Sequence, residues 1–148
     1  MKNSDCYVVV GTGSIAKRHI SNLKQLFPNA LIACAPSSNE SSSIHQIEAD
    51  KIFRDISEAI KANPICAIIA SPTSLHLKNA HEFLCSDIPT LIEKPLCKNL
   101  KAFKEYKEVF ERKKSKVEIG YCLRYQPAAM EFKKLIDEKN ILGEIHSV

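Results

Sequence analysis

Short apolar runs alternate along this chain with stretches whose apolar residues recur at helical spacing. Tyr7, Val8, Val9 and Val10 form a β-branched run that stops at Gly11 and reads as a strand. Ala16, Ile20, Leu23, Leu26 and Phe27 then fall on one helical face, predicting a helix over 14–27 that Pro28 and Asn29 end. A strand is expected over 30–35, a Ser-rich loop over 36–43, a short helix around 44–49 and a short strand over 51–53. Ile56, Ala59 and Ile60 mark another helix, ended near Asn63 and Pro64. The continuous apolar run 65–70 has the character of a strand covered on both faces of a parallel sheet. Leu77, Ala80, Phe83 and Leu84 give the next helix, 90–92 a short strand, and Leu100, Phe103, Tyr106, Val109 and Phe110 one face of a longer helix. A strand over 117–121 and a helix carrying Phe132, Leu135 and Ile136 follow, the latter stopping near Asn140.

Such alternation predicts an α/β fold: a doubly wound parallel sheet with helices on both faces. In sheets of this kind ligands bind beyond the carboxyl ends of the strands. Four polar or conformationally special segments follow predicted strand ends: the turn at 11–16, then 71–76, 93–95 and 121–124. They are expected to meet at one crevice.

The first of these carries the clearest chemistry. Gly11-Thr12-Gly13-Ser14-Ile15-Ala16 is a glycine-rich turn between a strand and a helix. Gly11 permits a tight turn, Gly13 lets a pyrophosphate approach the backbone, and Ala16 is small where helix and strand pack. The free N–H groups and positive dipole end of the helix face the phosphates. The same turn occurs in methyltransferases and in turns that bind nothing, so its meaning depends on the strand before, the helix after and the repeated alternation downstream.

Composition narrows the class. With 148 residues, 45% hydrophobic and 26% charged, the chain has the profile of a soluble globular domain. Its net charge of +4 is mild, and the Lys113-Lys114 and Lys133-Lys134 pairs sit in charge-mixed helical stretches, reading as solvated faces and not as a nucleic-acid site. The six cysteines form neither a C-x-x-C pair nor a Cys/His ligand cluster, so no metal site and no disulfide framework are expected. Cys6, Cys34 and Cys66 lie inside apolar runs, where a free thiol acts as a small hydrophobe. A reduced, cytoplasmic protein with neither a signal peptide nor a membrane span is the expectation.

Taken in order, Gly11-x-Gly13-x-x-Ala16-x-x-His19, Ser71-Pro72-Thr73-x-x-His76, Glu93-Lys94-Pro95-Leu96 and Gly120-Tyr121-x-x-Arg124-Tyr125-x-Pro127 resemble the Gfo/Idh/MocA family of NAD(P)-dependent oxidoreductases. The resemblance implies a Rossmann domain over 1–122. It also implies a connecting helix and the first strand of a C-terminal α/β substrate domain over 123–148. The expectation is therefore a piece of a longer protein, since a strand without partners does not end a domain. Lys94 matches the lysine that lies beside the nicotinamide and the reacting carbon, where a cationic donor stabilises developing alkoxide charge. Cofactor contacts are implied for Gly11, Thr12, Gly13, Ser14, Ile15, Ser37, Ser71, Pro72, Thr73, His76, Glu93, Lys94, Pro95 and Arg124. A cis peptide is possible before Pro95. His76 could equally serve a structural role at a helix start, and His19 is expected to pack behind the glycine turn without a catalytic part.

The chain departs from the pattern where the second strand ends. Members that prefer NAD place an acid there for the adenosine ribose diol, whereas this chain has Ala35-Pro36-Ser37-Ser38. No basic residue for an extra phosphate lies in that loop either, so the cofactor is expected to be NAD or NADP. The implied reaction is hydride transfer between nicotinamide and a hydroxyl carbon of a sugar, cyclitol or sugar nucleotide, in a homo-oligomeric full-length dehydrogenase. This piece, of uncertain oligomeric state, would supply the cofactor half and turn over little. The alternative is a non-catalytic NAD(P)-binding regulatory module. A methyltransferase has no use for Glu93-Lys94-Pro95.

Overall fold

A computed structural model describes residues 5–38 and 47–137. Its elements run β1 (Cys6–Val10), α1 (Ser14–Leu26), β2 (Leu31–Ala35), β3 (Lys51–Ile52), α2 (Ile56–Lys61), β4 (Cys66–Ile69), α3 (His76–Cys85), β5 (Thr90–Ile92), α4 (Leu100–Lys104), α5 (Lys107–Arg112), β6 (Val117–Ile119) and α6 (Pro127–Asp137). Short 3-10 turns at Thr73–Leu75, Lys114–Lys116 and Cys122–Tyr125 precede α3, β6 and α6.

The six strands form one parallel sheet in the order β3-β2-β1-β4-β5-β6. The chain moves outward from β1 through β2 and β3, then returns to add β4 on the other side of β1. The reversal falls between β1 and β4, where a crevice opens at the strand ends. Central register pairs Val8 with Ala33 on one side and with Ala67 on the other.

The two-residue period of the strands sorts the core into two layers. Val8, Val10, Ala33, Ala35, Ala67 and Ile69 face α2, α3 and α5, meeting Ile56, Ala59, Leu77, Ala80, Phe83 and Phe110. Val9, Ile32, Cys34 and Ile68 face α1, meeting Ala16, Ile20 and Leu23. This is why the strands read as unbroken apolar runs: both faces are covered.

Two expectations about elements need correction. The single long helix expected through residues 100–110 is two, α4 and α5, parted at Glu105 and Tyr106. There the Tyr106 amide bonds the Phe103 carbonyl in a tighter i,i+3 turn. The apolar face survives the break, with the Phe103 and Phe110 rings edge to face at 5.9 Å. Ile47, Glu48 and Ala49 are not helical, and the rest of the helix expected around 44–49 lies outside the described residues. The strand expected near the end of the chain also lies outside them.

Candidate functional site

The site is built where β1 ends. Gly11 has a φ of +124°, and a Cβ there would stand 2.6 Å from the Ala70 carbonyl oxygen. The glycine is required by backbone strain and by the close passage of the chain leaving β4. Its amide donates to the Ala35 carbonyl at 2.9 Å, and its carbonyl accepts from the Cys34 thiol at 3.3 Å. Burial pushes the Cys34 thiol up to about 11, so it packs as a neutral apolar group.

Gly13 differs in kind. It is the N-cap of α1, in ordinary extended backbone, and a Cβ added there would meet nothing within 4 Å. No side chain caps α1, and its first turn has no acid. The helix thus presents its first N–H groups toward open space.

That space is a cavity of about 530 Å³. The first helical turn lines it with Thr12, Gly13, Ser14 and Ile15, the end of β2 with Ser37 and Ser38. Ala70, Ser71, Pro72, Thr73 and His76 come from the passage between β4 and α3, and Glu93 and Lys94 from the end of β5. Three of the four expected segments therefore converge. The fourth does not share this cavity. Arg124 lines a neighbouring cavity of about 390 Å³ with Gly120, Tyr121, Cys122, Leu123 and Lys94, and its guanidinium lies 5.9 Å from the Tyr121 ring centroid. Lys94 belongs to both cavities.

Two residues expected at the cofactor, Gly11 and Pro95, do not line this cavity. Gly11 shapes the turn but does not line the cavity. Pro95 follows a cis peptide after Lys94, and its carbonyl faces inward to the His76 ring. His19 does more than pack behind the turn. Its Nε2 reaches from α1 to Glu93 Oε1 at 2.8 Å, with both side chains about four-fifths buried. The Glu93 carboxylate also accepts the Lys94 amide at 3.3 Å. One carboxylate thus ties α1 to the turn that carries Lys94.

A third cavity, of about 480 Å³, continues from Ser37 and Ser38 across to α2 and α3. It takes Asp55 and Ser57 from α2 and its cap, and Lys78, Asn79 and Glu82 from α3. Sequence reasoning passed over these because they belong to helix faces and not to motifs; the i, i+4 spacing of Lys78 and Glu82 was the one available signal. The carboxyl of Asp55 is held below its usual range by the Glu58 amide that it caps, with lesser help from Arg54.

The residues fit a bound dinucleotide on two independent observations. Ser71 Oγ is buried against the large cavity and lacks a hydrogen-bond partner, leaving a polar atom for a ligand to satisfy. The missing Cβ of Gly13 leaves room that any side chain would fill.

A parallel sheet in this order, with a glycine-led, uncapped helix at the point where the order reverses, defines a doubly wound nucleotide-binding domain. The chain belongs to the Gfo/Idh/MocA oxidoreductase family, with its NAD-binding Rossmann fold, whose family model matches residues 6–121. It is 30% identical over 132 residues to an inositol 2-dehydrogenase from Rubrobacter xylanophilus, covering 86% of this chain and 38% of that protein. A crystal structure of scyllo-inositol dehydrogenase from Lactobacillus casei with bound NAD(H) and scyllo-inositol superposes with a TM-score of 0.78 at 21% identity, over 96% of this chain and 43% of that one. The WlbA dehydrogenase from Bordetella pertussis, in complex with NADH and UDP-GlcNAcA, superposes with a TM-score of 0.75 at 21% identity, over 96% of this chain and 45% of that one. The chain thus spans less than half the length of these relatives.

Proposed function

We propose that this chain is the cofactor-holding part of an NAD-dependent dehydrogenase that moves a hydride between nicotinamide and a hydroxyl carbon of a cyclitol, sugar or sugar nucleotide. The observation that carries the reading is the position of Lys94. It stands where the large cavity, with its helix N-terminus and Ser71 hydroxyl, adjoins the smaller one lined by Tyr121 and Arg124.

In this reading the α1 amides and Ser71 hold the pyrophosphate and ribose. Thr12, Ser14, Ile15, Pro72 and Thr73 shape the wall that fixes the dinucleotide. When bound, the nicotinamide supplies the hydride chemistry. Lys94 directs its ammonium at the substrate oxygen, donating a hydrogen bond and stabilising negative charge as the hydroxyl proton departs. Glu93, held by His19, fixes the turn on which Lys94 is mounted. Arg124 serves the substrate side. NAD is favoured over NADP because the third cavity, next to Ser37 and Ser38, sets two carboxylates, Asp55 and Glu82, against one ammonium, Lys78. An additional phosphate there would meet a net negative lining.

Residues 1–122 are read as the cofactor domain and 123–148 as the connection to a substrate domain. The exposed Tyr121, Leu123, Tyr125, Met130 and Phe132 supply the apolar surface for that junction. A cytoplasmic setting accords with the six cysteines, none of them in a disulfide. No helix among the described residues is long and apolar enough to cross a membrane.

NADH fluorescence tests the reading. Titration with this chain is expected to give saturable enhancement, weaker with NADPH, and Gly13→Val is expected to abolish it by filling the phosphate approach. In a chain carrying both domains, Lys94→Ala is expected to cut cyclitol oxidation far more than NADH affinity. No saturable signal with either nucleotide overturns the proposal.

A further inference from the structure

The third cavity, beside α2 and α3, holds a polar group that has no partner among the described residues. Asn79 lines it from α3 and is only 1% exposed, and its Nδ2 makes no hydrogen bond. The helix buries Leu77, Ala80, Phe83 and Leu84 around it. An apolar side chain of similar size would pack there without stranding an amide, and leucine is the better helix former. Neither packing nor helix propensity asks for this asparagine. A buried donor without an acceptor is uncommon in folded proteins, and here it leaves a bond for a ligand to make.

A second group is available beside it. Glu82 stands three residues on, on the same face of α3, and lines the same cavity. Its carboxylate has no hydrogen-bond or ion-pair partner among the described residues. Asp55, the other acid of this lining, is committed: it accepts the Glu58 amide at 2.8 Å as the cap of α2 and pairs with Arg54 at 3.3 Å. Pro36 from the end of β2, Ile56 at the start of α2 and Leu75 ahead of α3 add apolar surface. A flat heteroaromatic ring with an amine beside a ring nitrogen matches this set. The apolar residues cover its faces, the amide donates to the ring nitrogen, and the carboxylate accepts from the amine. Adenine carries such an edge.

Ser37 and Ser38 line both this cavity and the large one, so a dinucleotide lying in the large cavity reaches the third one past them. We propose that Asn79 and Glu82 are specificity-determining residues that read the amine-bearing edge of the adenine from α3, in a chain whose second strand ends without an acid for the adenosine ribose. The two contribute differently. An amide can turn over to present its oxygen or its nitrogen, whereas a carboxylate only accepts. Asn79 therefore supplies affinity, and Glu82 sets the choice of base.

This inference rests on the cofactor reading above, and the test separates the two. Fluorescence titration compares NADH with reduced nicotinamide hypoxanthine dinucleotide, in which a carbonyl replaces the adenine amine. The unaltered chain is expected to bind NADH about tenfold or more tightly than the analogue, whose carbonyl sets an acceptor against the Glu82 carboxylate. Glu82→Gln, whose amide both donates and accepts, is expected to bring the two nucleotides within about threefold of each other, chiefly by tightening the analogue. Asn79→Leu is expected to weaken both nucleotides without loss of stability in urea, because it removes an unpaired buried amide. Equal binding of the two nucleotides by the unaltered chain overturns the base reading and leaves the cofactor reading standing. So does a preference that persists in Glu82→Gln, and these two measurements decide the matter whether or not Asn79→Leu folds. Saturable binding of neither nucleotide overturns both readings.

Discussion

The half of the molecule around β1, β2, β4 and α1 differs sharply from the segment that follows β6. In the first, Val8, Val9, Val10, Ile32 and Ile69 are wholly buried, and even the turn between β1 and α1 is so closely packed that a Cβ added at Gly11 would stand 2.6 Å from the Ala70 carbonyl oxygen. In the second, α6 has no buried residue, and Tyr125, Met130 and Phe132 face outward. Both regions are amphipathic helices and strands by pattern. What separates them is whether a partner surface exists within the described residues. Burial stabilises the first by roughly 1.5–3 kcal/mol for each large apolar side chain withdrawn from water. The apolar face of the second contributes little of this kind, and its Arg124 lines a cavity that adjoins the larger one at Lys94.

The largest effect that tests this contrast comes from two phenylalanines. Phe83→Ala, at a fully buried ring on α3, is expected to cost about 3–5 kcal/mol. Phe132→Ala, at a ring half exposed on α6, is expected to change stability by less than about 0.5 kcal/mol. Urea denaturation of both variants checks this; equal losses mean that α6 packs as tightly as the core.

A finer test sets two glycines of one turn against each other. Gly11→Ala is expected to destabilise by about 2–4 kcal/mol, because its Cβ strikes the Ala70 carbonyl from a φ that L-residues avoid. Gly13→Ala is expected to shift stability by less than about 1 kcal/mol and to weaken NADH by about tenfold or more. A reversal of this pattern moves the ligand from the helix N-terminus to elsewhere.

The smallest perturbation uses the native thiols. Iodoacetamide near neutral pH is expected to modify the exposed Cys85 and Cys122 in the folded chain, with Cys6 and Cys34 silent until denaturation. Desolvation raises both buried thiols, overcoming at Cys6 an opposing pull from Lys51. Mass spectrometry of the labelled peptides reads the result. Early modification of Cys34 would show that the first half opens more readily than its packing implies.

The sheet, its parallel sense and most helices were legible because the central strands β1, β2 and β4 are apolar on both faces and the longer helices repeat at 3.6 residues. That the turn after Gly11, the Ser71 segment and the Glu93-Lys94 turn would meet at one cavity was legible because strand ends in such a sheet converge. The break between α4 and α5 was not, since Glu105 and Tyr106 carry no glycine or proline to announce it. Nor was the bond from His19 to Glu93, which joins residues 74 positions apart.

By itself the sequence determined the order of elements, the layers that each strand residue faces and the family, because those follow from local period and from residue types at fixed spacing. Tertiary structure alone decided which glycine serves the backbone and which leaves room for a ligand. It also decided that Arg124 stands in a second cavity, that Lys78, Asp55 and Glu82 meet beside Ser37, and that the His76 ring faces two carbonyls. These are distances between segments far apart in the chain, set by packing that no local pattern encodes.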